Sequence, residues 1–327
     1  MIIAQVIENQ YFYFKYKQKI KMKFIKLLPF LLLPLCLFAQ QKVYLISYFT
    51  GNGEDGLHLA YSRDGLAWTA LKNGQSFLKP TIGISKLMRD PCLLRGQDGL
   101  FHMVWTAGWT EKGIGYAASK DLVHWSEEQY LPVMAHEPTA RNTWAPEIAY
   151  DKKRKEYLIF WASTIPNRFP KSDSMGDKDY NHRLYYTTTK DFKTYSKTAL
   201  FFDQGFNAID ATILPVKNKY LMFVKDETRY PPQKNIRITE STDILRGYKP
   251  VSTPITGKYW AEGPTSIKIG DKYVVYFDKY TEHKMGAVES TDLKNWTDIS
   301  DKVSFPEGVR HGTVIEISES ELDFLIK

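Results

Sequence analysis

The chain has 327 residues, 43% of them hydrophobic and 14% aromatic, with a formal charge of +7. That composition excludes a disordered chain and leaves ample apolar mass for a buried core. Lysine is concentrated near the N-terminus. Elsewhere acids and bases are interspersed, and no basic run interleaved with aromatics marks nucleic acid as a partner.

The first element is an export signal. Lys21-Met22-Lys23-Phe24-Ile25-Lys26 forms a basic start, and Leu27 to Phe38 is an apolar run too short to span a bilayer. Cleavage is expected after Ala39. Met22 reads as the true start, which makes residues 1–21 an extension, so residues 1–39 are assigned to extension plus signal peptide and 40–327 to one catalytic domain. Cys36 lacks the flanking residues of a lipidation site. Removal of the signal leaves one cysteine, Cys92, in an apolar stretch, so no internal disulfide is expected and Cys92 reads as a small buried hydrophobe. The expected location is secreted or periplasmic, with no membrane insertion after signal removal, and the expected state is a monomer.

From residue 43 onward one pattern recurs five times, at a spacing of roughly 50–70 residues. Two β-rich strands lead into Ser/Thr-x-Asp, and an aromatic follows. The copies are Ser62-Arg63-Asp64 with Trp68, Ser119-Lys120-Asp121 with Trp125, Thr189-Lys190-Asp191 with Tyr195, Ser241-Thr242-Asp243 with Tyr248, and Ser290-Thr291-Asp292 with Trp296. The Asp is suited to capping its own turn and the ring to covering the apolar face of the sheet. No helical period interrupts the strands. The fold class expected is all-β, a five-bladed β-propeller, which protects sheet edges that an open sheet of this size would expose. The first copy lacks a leading strand, and a leader at Val309 to Ile315 has no copy after it. Joining the two predicts a ring closed by strands from both termini.

In a propeller the innermost strand of each blade lines the axis. The five leaders are Arg89-Asp90-Pro91, Trp144-Ala145-Pro146-Glu147, Ile209-Asp210-Ala211, Trp260-Ala261-Glu262-Gly263-Pro264 and Arg310-His311-Gly312. Four carboxylates and a histidine are thus expected to converge at one end of the axis, one per blade at equivalent positions. Clustered acids repel one another and push their pKa values apart. Such a cluster suits glycoside hydrolysis, in which one carboxylic acid protonates the leaving oxygen and one carboxylate activates water.

These leaders, in this order and one blade apart, resemble glycoside hydrolase family 43, of the arabinofuranosidase and xylosidase type; the resemblance covers about residues 41–320. It implies Asp90 as general base, Asp210 as the acid that tunes and orients the proton donor, and Glu262 as general acid. It implies inversion, with no cofactor required. It also places His311 at the axis, where such proteins link a histidine to a bound water or to Ca2+, leaving a Ca2+ site there open. Two positions depart from the family's usual pattern: Ala211 stands where Pro is common, and Glu147 where Asp is common. Glu147 reads equally as a substrate contact or as a hydrogen bond within its blade. Trp109 and Trp144 are the favoured sugar platforms among Trp105, Trp109, Trp144, Phe169, Trp260 and Tyr280. Lys225 and Arg310 are candidates to bind hydroxyls or to pair with the acids. The insert Ile165–Tyr180 reads as a loop at the mouth of the second blade that sets substrate choice.

The substrate expected is a carbohydrate, first an α-L-arabinofuranoside cleaved from chain ends. A β-xyloside and a galactan or galactofuranoside remain alternatives. Relatives that cleave β-1,3-galactan tend to lack the first-blade base, so Asp90 favours arabinose or xylose. A fructan- or sucrose-cleaving propeller would carry Asn-Asp-Pro and Glu-Cys strings, which do not occur. A sugar-binding propeller without activity would not need all three acids.

Overall fold

The computed structural model describes residues 42–327. The export-signal and extension readings lie outside these residues. Among them no helix is long and apolar enough to cross a membrane.

The strands form five antiparallel sheets arranged as a five-bladed β-propeller. Blade 1 runs through Arg89–Arg95, Phe101–Thr106, Ile114–Ser119 and Gln129–Leu131. Blade 2 comprises Trp144–Asp151, Glu156–Ser163, Arg183–Thr189 and Ala199–Phe202. Blade 3 has three strands, Ala208–Val216, Lys219–Asp226 and Asn235–Ser241. Blade 4 comprises Glu262–Ile269, Lys272–Lys279, Lys284–Ser290 and Thr297–Asp298. Blade 5 is assembled from both ends of the described chain: Val314–Ile317 lies innermost, followed by Val43–Tyr48, His58–Ser62 and Thr69–Ala70. The pairing Val43↔Ile317 through Ile46↔Val314 closes the ring as expected. A short C-terminal helix, Glu319–Ile326, follows, capped by the reciprocal Ser318–Glu321 box, and it buries Leu322 and Leu325 beneath blades 5 and 1.

The second strand of each blade supplies much of the core. Phe101–Thr106 and Val43–Tyr48 are buried at every position, and Trp105 and Trp161 are fully enclosed. Trp105 is therefore core and not the sugar platform it was considered for. The Ser/Thr-x-Asp turns cap themselves. Asp121 Oδ1 accepts the Val123 and His124 N–H groups at 2.9 and 2.7 Å, and Asp292 Oδ1 accepts those of Lys294 and Asn295, each at 2.8 Å. The hydroxyl of the first residue accepts a third N–H, as in Ser119 Oγ with Leu122 at 2.8 Å. That third N–H holds Leu122, Phe192 and Leu293 at positive φ. The rings that follow seal blade against blade: Trp68 meets Tyr276 of blade 4 edge-on at 5.5 Å, and Trp296 meets Phe223 of blade 3 at 5.6 Å.

Consecutive innermost strands touch in cyclic order around the axis. Where the ring closes, Ser47 N–H bonds to Thr313 carbonyl at 3.0 Å, and a Cβ on Gly312 would fall 1.7 Å from the Ser47 carbonyl oxygen. Gly312→Ala must separate the closing strands, and urea denaturation should show a loss of about 2 kcal/mol or more, in the range of overpacked cores.

Candidate active site

Four of the five innermost strands begin with a β-bulge. The register slips between Arg89 and Cys92, Trp144 and Glu147, Ile209 and Ala211, and Glu262 and Thr265. The residue within each bulge has positive φ: Asp90 at 51°, Ala145 at 46°, Asp210 at 46° and Gly263 at 59°. Bulges re-aim side chains, and left-handed non-glycine residues gather where function outweighs their strain. Gly263 has no alternative, since a Cβ there would meet His311 Cγ at 2.3 Å.

This alignment corrects the expectation of equivalent acids. Asp90 and Asp210 occupy the bulge itself, and Glu262 stands one residue earlier. Glu147 stands two residues later than the bulge residue, level with Cys92, Thr212, Thr265 and Thr313 of the other blades. The upper layer lines an open pocket of about 350 Å³ at one end of the axis. Asp90, Asp210, Glu262, Trp109, Trp144, Lys225, Arg310 and His311 all line it, and Glu147 does not. Glu147 is buried below the pocket, where it accepts hydrogen bonds from Thr212 Oγ1 at 3.2 Å and Thr313 Oγ1 at 3.4 Å. It is neither a substrate contact nor tied within its own blade, because its partners come from blades 3 and 5.

Asp90 accepts a hydrogen bond from Thr106 Oγ1 at 2.8 Å, and His311 Nδ1 lies 3.2 Å from its other oxygen. Thr106 is itself oriented by the Ala145 N–H at 2.8 Å. Burial would raise Asp90, but the His311 hydrogen bond and charge, with Arg89 and Thr106, outweigh it and hold the carboxyl at about 2. Burial would lower His311, yet Asp90, Asp210 and Glu147 hold the imidazolium up to about 9. The two form a buried ion pair. Among the described residues no group of three or more His, Cys, Asp and Glu is arranged to hold a metal.

Asp210 Oδ2 accepts the Gly263 N–H at 3.1 Å, which ties it to the residue after Glu262. Burial raises Asp210 to about 6; His311 and Lys225 oppose that rise, and the charges of Glu262 and Asp90 add to it. Glu262 is gripped on both oxygens, by Lys225 Nζ at 2.9 Å and by Arg310 Nη2 at 3.2 Å. Arg310 also donates through Nε to Asp278 at 2.8 Å. Of the two roles considered for Lys225 and Arg310, the structure shows pairing with the acid cluster.

The rim is aromatic. Trp109 is 46% exposed and is pinned by Asn52 Oδ1, which accepts its Nε1–H at 3.1 Å, while the Arg89 guanidinium packs 4.2 Å from its ring. Trp144 donates to the Trp109 carbonyl at 2.9 Å, meets that ring edge-on at 5.6 Å, and stacks on Tyr180 at 5.0 Å. Tyr180 ends the blade 2 insert, so the insert packs behind the lining residue Trp144, and none of its own residues lines the pocket. Tyr280 lines the pocket, whereas Phe169 and Trp260 do not. Phe169 instead lies under the buried Arg183 guanidinium at 4.4 Å.

Four lining residues escaped the sequence reading: Gly51, Asn52, Thr106 and Glu227. Asn52 sits in a Gly-Asn-Gly turn. Glu227 lies two residues beyond Lys225, on the same side of an extended chain, and that period of two was the signal available.

Glu147 carries a pH signature. Burial raises it to about 7, against the pull of His311 and its hydrogen bonds. Its folded value lies above the unfolded one of about 4.3, so its contribution to stability is full at low pH and is lost as pH rises through about 7. Glu147→Gln should therefore gain in melting temperature relative to the parent between pH 5 and pH 8. A constant difference across that range would contradict the assignment.

Comparison with known proteins bears on the family and the fold. The family model described as "Probable glycosyl hydrolase domain", of the family-43-related group, matches residues 40–323. An α-L-arabinofuranosidase of Bifidobacterium longum subsp. longum is 25% identical over 185 residues, which is 50% of this chain; the match spans only 17% of that relative. Among solved structures, a thermostable family-43 glycoside hydrolase aligns over 64% of this chain and 71% of its own at 17% identity, with a TM-score of 0.50. A family-43 protein of Bacillus licheniformis aligns over 68% and 42% of the two chains at 18% identity and 0.51. An exo-β-1,3-galactanase of Phanerochaete chrysosporium aligns over 72% and 53% at 14% identity and 0.51. At these identities the solved structures speak for the fold, and the family match, together with the ordered carboxylates of the leaders, speaks for descent. The chain belongs to glycoside hydrolase family 43, whose members hydrolyse glycosidic bonds.

Proposed function

We propose that this domain cleaves a terminal sugar from a carbohydrate by inversion, with Asp90 as general base, Glu262 as general acid and Asp210 as the residue that orients and tunes Glu262. The observation that carries this reading is the convergence of the three carboxylates, from blades 1, 3 and 4, on one pocket with unlike environments. Asp90 is held ionised by His311, as a base that takes a proton from water must be. Asp210 is buried and raised, so a proton is available beside Glu262 near neutral pH. In the proposed step the glycosidic oxygen takes the proton of Glu262 as its bond to the anomeric carbon breaks. Water attacks the opposite face of that carbon and gives its proton to Asp90, and no covalent intermediate forms.

For the glycone, an α-L-arabinofuranoside is preferred, supported by the Bifidobacterium relative. A β-xyloside or a galactose-containing chain is the second reading, and the fold likeness to an exo-β-1,3-galactanase keeps it in view. The pocket of about 350 Å³ is compact and walled on one side by Trp109 and Trp144, which suits one sugar ring at the axis with the next stacked at the rim. Secretion, which rests on residues 21–39, and a monomeric state belong to this reading as well.

Release of aryl leaving groups from α-L-arabinofuranoside, β-D-xyloside, β-D-galactofuranoside and β-D-galactoside tests the proposal. Turnover is expected on one glycone, with loss of about 10²–10⁴-fold in Glu262→Gln on poor leaving groups and a comparable loss in Asp90→Asn. Retained sugar binding without turnover in the parent protein would favour a binding module.

A further inference from the structure

The two cations that touch Glu262 are each shared with another carboxylate. Arg310 is shared with Asp278. Lys225 lies 2.9 Å from Glu262 Oε2 and 2.6 Å from Glu227 Oε2, with its ammonium 4.7 Å above the Tyr280 ring. Lys225 is fully buried, its side chain only 1% exposed, so its charge acts on these neighbours with little screening by water. The other oxygen of Glu227 pairs with the buried Lys234.

This arrangement meets a chemical conflict. A proton donor must carry its proton when substrate binds, and an undivided ammonium at 2.9 Å would favour the carboxylate instead. The groups facing Glu262 are Asp210, Lys225 and Glu227 from blade 3, Asp278 and Tyr280 from blade 4, Arg310 and His311 from blade 5, and Asp90 from blade 1. Of the carboxylates among them, Glu227 alone contacts the lysine.

We propose that Glu227 is a positioning residue for catalysis: by holding Lys225, it divides the ammonium's charge and leaves Glu262 able to take up the proton it donates. The inference rests on Glu262 being the general acid. Glu227 suits the role because it stays ionised: burial would raise it, but Lys225 and Lys234 hold it at about 2.

The test is the pH profile of kcat/KM for the parent, Glu227→Gln, Lys225→Met and the double variant, on aryl glycosides of high and low leaving-group pKa. Glu227→Gln gives Lys225 wholly to Glu262, and the alkaline limb should fall by about one pH unit, with the larger loss on poor leaving groups. Lys225→Met should move that limb upward, and the double variant should follow Lys225→Met, since Glu227 acts through the lysine. Should Lys225→Met fail to fold, Lys234→Met is read instead; it leaves Glu227 to Lys225 alone and should also move the limb upward. An unmoved limb in Glu227→Gln, or limbs that shift in the same direction in both single variants, overturns the proposal. A change in KM alone would make Glu227 a substrate contact and also overturn it. A parent protein with no turnover on any glycoside defeats the hydrolase reading instead. The proposal is then decided by carbon-13 titration of the Glu262 carboxyl, assigned by its loss in Glu262→Gln: a midpoint unchanged by Glu227→Gln overturns it, and a lowered one supports it.

Discussion

At the start of four inner strands the chain inserts residues that the neighbouring strand does not match, and one of them takes a left-handed conformation. The rest of the site depends on that bulge. An unbroken strand would send alternate side chains into the two blade interfaces, leaving none directed along the axis. The bulge turns the strand end so that Asp90 and Asp210 reach the pocket, and at Gly263 it brings the backbone close enough for Asp210 to accept its N–H. Asp tolerates left-handed φ better than most residues, which reconciles the strain with the chemistry. At the fourth bulge the neighbouring His311 leaves no room even for a methyl group, so the acid of that blade, Glu262, precedes the bulge.

The bulges also divide the axis into two polar layers of opposite character. The upper layer is open to the pocket and charged, with three carboxylates matched by cations, Asp90 by His311, Glu262 by Lys225 and Arg310, and Glu227 by Lys225 and Lys234, while Asp210 accepts the Gly263 N–H. The lower layer is buried, with Glu147 among threonine hydroxyls and the Cys92 thiol. Burial raises Glu147 and Asp210, whereas at Asp90 the hydrogen bond and charge of His311, with Arg89 and Thr106, outweigh burial and lower the carboxyl. Unlike environments for like residues allow one pocket to hold both an acid and a base at the same pH.

Ring closure holds these layers in register. Val314–Ile317, from the far end of the chain, supplies the inner strand of the blade begun by Val43–Tyr48, and the same segment carries Arg310 and His311 into the site. The seam that locks the fold thus also delivers the partners of the base and of the proton donor. Trp68 and Trp296 seal adjoining blades by the same ring-against-ring contact, so the repeat that marks the blades in the sequence also joins them in space.

The sequence by itself determined the strand repeat, the self-capping turns, the closure by both termini and the chain order of Asp90, Asp210 and Glu262. Each of these is local: a period of two, a turn residue that bonds its own backbone, or a short string at a strand start. Only the tertiary structure decided that Glu147 lies beneath the pocket among hydroxyls from blades 3 and 5, that Trp105 is core, and that Lys225 and Arg310 grip Glu262. It alone brought Glu227 to the pocket. The depth of a side chain along the axis depends on where each strand slips register, and its partners come from blades far apart in the chain. A pattern read along one strand contains neither quantity.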